Sequence, residues 1–85
     1  MAEKRRNSST ATFVRCAELR QRAGMEIDDL IKRVGEKPSK ASYHRLERGM
    51  AVRASSAFKI ANTLNKIYLE QNLPKFEVEK EVQYV

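Results

Sequence analysis

The stretch Ser39-Lys40-Ala41-Ser42-Tyr43-His44-Arg45-Leu46-Glu47-Arg48-Gly49 decides how this chain is read. Lys37 precedes Pro38, which biases it away from helical backbone. Ser39 is a good N-cap, and Gly49 suits a left-handed helix stop. The spacing therefore predicts a short helix from Lys40 to Arg48. Its apolar side is thin: Tyr43 and Leu46, with Ala41 or Ser42 nearby. The remainder is Lys40, His44, Arg45 and Arg48. A helix with so little apolar surface and so much positive charge has one face for a core and another for a partner.

Similar patterns lie on both sides. A helix is predicted from about Glu26 to Val34, with Leu30, Ile31 and Val34 as its apolar stripe. Asp28 and Asp29 open it and Lys32 and Arg33 close it, as the helix dipole favours. Gly35 ends it, and Glu36-Lys37-Pro38 is a turn. Before it, Phe13, Cys16, Leu19 and Ala23 recur at three- and four-residue intervals. They predict a first helix from Phe13 to Ala23, with Ser9, Thr10 or Thr12 as N-cap and Gly24 at its end. After the quoted stretch, Met50 to Ala54 reads as a loop carrying Arg53. A fourth helix then runs from Ser55 or Ser56 to near Asn72, before Pro74. Phe58, Ile60, Ala61, Leu64, Ile67 and Tyr68 form its stripe.

The tail changes period. Phe76, Val78, Val82 and Tyr84 alternate with Glu77, Glu79, Glu81 and Gln83, and Lys80 interrupts the apolar set. Alternation of this kind argues for a half-buried strand, over an unstructured end or a fifth helix.

Composition sets the bounds. The 85 residues suffice for one domain, divided here into a polar arm (residues 1–10), a helical domain (11–73) and a terminal strand (74–85). Lysine and arginine number 17 against 11 acidic residues, a net charge of +6 that favours polyanionic partners. Lys4, Arg5 and Arg6 are either a solubilising start or an arm reaching along a nucleic acid. Cys16 is the single cysteine and cannot form an internal disulfide, which fits a reducing cytosol. No apolar run approaches the roughly 20 residues of a membrane span, and the start lacks the apolar stretch of a signal peptide. A cytoplasmic protein is expected. Lone His44 and lone Cys16 offer no metal spacing, and no nucleophile has an evident base. The expectation is a non-enzyme without cofactor, metal or small-molecule ligand.

Taken in order, Leu19-Arg20-Gln21-Arg22-Ala23-Gly24-Met25, Leu30 to Gly35, Arg45-Leu46-Glu47-Arg48-Gly49 and Ile60-Ala61-Asn62-Thr63-Leu64 resemble the Xre/Cro/CI-type helix-turn-helix family over residues 16–65. The resemblance implies a mainly α fold: a repressor-like bundle of about four helices, here with a C-terminal β-strand. It implies that the second and third helices form the DNA-reading pair, the third in the major groove. Ser39 matches the capping position, often near a phosphate. Lys40, Ala41 and Arg45 match base-reading positions, His44 and Arg48 match flanking ones, and Ser42 is counted with the DNA-binding residues. Arg20 and Glu47 match a structural ion pair between the first and third helices. The chain departs from the pattern in three places. Its turn before the third helix is two residues longer. Ile31 stands where the family prefers a small residue, and Ile27 where it often has a phosphate-contacting glutamine.

Side-chain chemistry agrees with that assignment. Arginine pairs two donors with O6 and N7 of guanine. Lys37, Arg48 and Arg53 flank the third helix and can neutralise phosphates. The resulting expectation is a sequence-specific regulator of transcription that represses by occluding promoters. It would bind a palindromic duplex as a homodimer joined by a ribbon of Phe76, Val78, Val82 and Tyr84. The alternative is an antitoxin or adaptor whose main partner is a protein bound through the tail.

Overall fold

The computed structural model describes residues 10–35 and 38–85. The expected basic arm, apart from Thr10, and the phosphate-contact assignment of Lys37 lie outside them. The described residues form a mainly helical unit with a small antiparallel sheet. In chain order they are β1 (Thr10–Phe13), α1 (Cys16–Arg22), α2 (Ile27–Val34), α3 (Lys40–Glu47), β2 (Val52–Arg53), α4 (Ala54–Glu70), α5 (Val78–Glu81) and β3 (Val82–Tyr84). No helix among them is long and apolar enough to cross a membrane.

The first departure from expectation is β1. Residues 10–13 are a strand, and the first helix begins only at Cys16. Thr10, Thr12 and Phe13 favour extended backbone, and burial alternates, with Ala11 and Phe13 inward. Thr10 and Thr12 are thus strand residues and not helix caps. β1 is the centre of the sheet, in the order β2-β1-β3. Ala11 stands opposite Val52 on one side and Tyr84 on the other, and Phe13 stands opposite Val82.

The tail is the second departure. Phe76 and Val78 are not part of a strand; residues 78–81 form one helical turn, and only Val82–Tyr84 is extended. The turn resolves the misfit at Lys80. In a strand Lys80 would lie on the apolar face, whereas here its side chain is 78% exposed and pairs with Glu77 at 3.1 Å. Phe76 swings onto the core instead. Its ring centroid lies 5.3 Å from that of Tyr68, edge-on, and 6.1 Å from that of Phe13. The Asn65 side chain clamps its backbone, Nδ2 donating to Phe76 O at 2.9 Å and Phe76 N donating to Oδ1 at 3.1 Å. Glu81 accepts from Arg15 at 2.8 Å.

α1, α3 and α4 end alike. Gly24, Gly49 and Asn72 have φ of 70°, 82° and 60°, and each is followed by a residue whose N–H closes back on the last turn. Met25 N donates to Arg20 O, Met50 N to Arg45 O, and Leu73 N to Tyr68 O. These are Schellman stops, in which a left-handed residue lets the chain satisfy carbonyls that the helix leaves open.

The core runs through all of these elements. Phe13, Cys16, Leu19, Leu30, Tyr43, Leu46, Ile60 and Leu64 are all at most 1% exposed. Each large apolar side chain so buried contributes about 1.5–3 kcal/mol. α4 is the spine: its Tyr68 hydroxyl donates to Leu19 O at 2.7 Å, and Gln71 donates to Ala23 O at 2.9 Å, tying it to the end of α1.

Candidate nucleic-acid interface

α3 is fixed from behind. Tyr43 and Leu46 are fully buried. Glu47 receives a two-pronged bond from Arg20 of α1, with Nε to Oε2 at 2.7 Å and Nη2 to Oε1 at 3.2 Å. Arg20 also donates to Met25 O at 2.8 Å, so one guanidinium joins α1, the following turn and α3. The hydrogen bond to Glu47 holds the Arg20 guanidinium above its ordinary range. The two side chains are 12% and 15% exposed, as the expected structural pair requires. Cys16 packs in the core close by, and burial first, then the Glu47 carboxylate, pushes its thiol up to about 12.

The opposite side of α3 is open. Lys40, Ala41, His44, Arg45 and Arg48 are all exposed. At 3.6 residues per turn they fall within an arc of roughly 140°. The arc carries three permanent positive charges and no carboxylate. Ser42 is half-buried at its margin, its Oγ 3.4 Å from that of Ser39. Ser39 holds the extended N-cap backbone, but its hydroxyl caps no α3 amide.

Two further cations border this arc. Arg53 on β2 and Lys59 on α4 are exposed, and with Pro38, Ser55 and Ser56 they line a shallow depression of about 220 Å³. Pro38 leads into α3, so Arg53 and Lys59 lie beside the start of that helix. The sequence pointed to Arg53 but not to Lys59. Lys59 lies on the polar face of a long helix, and its closeness to the turn before α3 is set by tertiary packing alone. At the other margin, Lys40 Nζ lies 3.2 Å from Asp28 Oδ1 at the start of α2. Ile27 and Ile31 are partly buried against the core.

Of the tail residues assigned to a dimer ribbon, Phe76, Val78 and Val82 are used within the chain, while Tyr84 stays 56% exposed. Phe76 and Val78 pack on the core, Val82 is 2% exposed opposite Phe13, and the Tyr84 ring lies 5.6 Å from that of Phe58. The N–H of Val82, which would point to a second copy, donates to Val78 O. The expected strand is therefore corrected in extent: only Val82–Tyr84 is extended, it has a partner within the chain in β1, and the N–H of Val82 is taken.

Compared with known proteins, the chain matches no family model, no curated protein and no solved structure.

Proposed function

We propose that this chain binds duplex DNA with sequence preference, α2 and α3 acting as a helix-turn-helix of the Xre/Cro/CI kind. On this reading Arg45 faces base edges in the major groove, Ala41 allows close approach, and Lys40 reaches the duplex beside them. His44 and Arg48 flank them, while Arg53 and Lys59 neutralise phosphates beside the groove. Two copies on a palindromic site would block a promoter, which makes repression the regulatory outcome. One observation carries the proposal: the exposed arc of α3 is cationic and free of carboxylates, while its other side is locked by Tyr43, Leu46 and the Arg20–Glu47 pair. The protein-partner alternative would use the outer edge of β3, which stands at the border of the sheet. Selection of bound sites from random duplex DNA tests the reading. An enriched motif whose recovery is lost in Arg45→Ala supports it, and failure to retain any duplex at low salt rejects it.

A further inference from the structure

The carboxylates of Glu18, Glu47, Glu70, Glu77 and Glu81 pair with cations outside the α3 arc. Asp28 differs. Its Oδ1 lies 3.2 Å from Nζ of Lys40, the first residue of α3 and the leading cation of the arc. The side chains are 69% and 58% exposed, so the pair sits in water at the rim of the proposed DNA face.

From this contact we infer that Asp28 is a negative determinant of DNA binding, withholding Lys40 from backbone phosphates and so suppressing sequence-independent affinity. The inference rests on the duplex-binding reading above. Sequence-independent binding is almost wholly phosphate neutralisation with release of counterions. A lysine already neutralised by a carboxylate releases fewer counterions when it meets a phosphate. The abandoned carboxylate is then left against a polyanion. Both effects oppose docking on any duplex. Arg45 and Arg48, which make no ion pair among the described residues, are not restrained in this way. A selected site is held by the base contacts of Arg45 with Lys40 still on Asp28, whereas random duplex, with no base contact to offer, gains affinity by drawing Lys40 onto a phosphate, and there the contact exacts its full penalty. Because competing genomic sites are numerous, lowering non-specific affinity raises effective selectivity without any new base contact.

The test is Asp28→Asn, compared with the parent chain on a selected site and on random duplex across a salt series. Folding of each variant is checked by thermal melting. Asp28→Asn should tighten binding to random duplex by about 1.5- to fivefold near 0.1 M salt. It should steepen the dependence of log K on log salt by about 0.9, the equivalent of one added phosphate contact. The ratio of cognate to random affinity should fall. In a Lys40→Gln background the same substitution should leave the slope unchanged. Asp29→Asn removes an equal charge from the same helical turn and should leave the slope at the parent value. The inference is overturned if Asp28→Asn leaves random-duplex affinity and slope unchanged while the parent still binds DNA through Arg45. It is equally overturned if Asp29→Asn reproduces the effect, because general charge would then explain it. A parent chain that binds no duplex at any salt rejects the functional reading itself, and this inference with it.

Discussion

Arg20 and Glu47 lie 27 positions apart in sequence yet meet in a two-pronged, largely buried bond whose shorter arm is 2.7 Å. The pair determines how α3 is presented, because it is the polar bond between α1 and the helix that carries the cationic arc. Removing one partner strands the other charge in a poorly hydrated site. Glu47→Ala should cost about 3 kcal/mol, the lower end of the range for buried pairs because each side chain keeps some exposure. Thermal melting measures it. Replacing both with apolar residues, Arg20→Met with Glu47→Leu, should recover most of the loss. A Glu47→Ala chain that melts like the parent would contradict this role.

Tyr43 carries a cost within the same helix. Its hydroxyl is buried and finds no hydrogen-bond partner among the described residues. A buried polar group without a partner costs about 1–3 kcal/mol. Tyr43→Phe keeps the ring and deletes the oxygen, so its melting temperature should equal or exceed the parent's, by several degrees if about 1 kcal/mol is recovered. A clear drop would mean that the hydroxyl has a partner in solution.

The tail should hold the sheet within a single chain. Ending the chain after Pro74 would uncover Phe13 and Tyr68 and leave β1 paired only with the two residues of β2. The shortened chain should melt well below the parent even at submicromolar concentration, where a contact between copies would already have dissociated. Equal melting there would show that β3 does not support β1.

The same segment marks where sequence reading stopped. α2, α3 and α4 were legible because each has an apolar stripe at helical spacing and a stop residue: Gly35, Gly49 or Asn72. The face of α3 was legible as well, because Tyr43 and Leu46 share one side and leave Lys40, Arg45 and Arg48 on the other. β1 was not legible. Phe13 lies three residues before Cys16, so its burial fits a helical stripe as well as a strand. The choice is made by pairing of Ala11 with Val52 and of Phe13 with Val82, 41 and 69 positions apart. Missing β1 left the tail without a partner, and that omission produced the expected dimer ribbon. Asp28 facing Lys40, and Lys59 beside Pro38, likewise exist only once α2, α3 and α4 are packed.

High pH should destabilise the fold through Cys16. Burial holds its thiol neutral until about pH 12, against about 9 for an ordinary thiol. The folded value is the higher one, so the contribution is complete below pH 9 and is lost as pH rises through 12. Across that window each pH unit should remove about 1.4 kcal/mol. Tyr43 and Tyr68 are also shifted upward by burial and act in the same direction from about pH 10. Melting at pH 8, 9.5 and 11 should show a progressive fall, shallower in Cys16→Ala, although that variant starts lower because it leaves a small cavity. A melting temperature independent of pH between 8 and 11 would contradict the burial of these groups.

Arg45 and Arg53 should separate reading from holding. Arg45 bounds one side of the exposed arc of α3, while Arg53 lies on β2 in the depression it shares with Pro38 and Lys59. An arginine on a guanine edge loses a two-donor contact when truncated, so Arg45→Ala should cost about 1–3 kcal/mol on the selected site. The loss should be concentrated at one base pair, with little change on random duplex. An arginine on a phosphate carries no sequence information. Arg53→Ala should weaken all duplexes by a similar factor and flatten the salt dependence by about 0.9. Lys59→Ala should do the same, and the two slope changes should add, because each replaces a separate counterion-releasing contact. Titrating the three variants on selected and random duplex at several salt concentrations measures all of this at once. Equal losses on both duplexes for Arg45→Ala would remove it from base reading. An unchanged salt slope for Arg53→Ala and Lys59→Ala would remove the flank of β2 and α4 from the interface and confine DNA contact to α3.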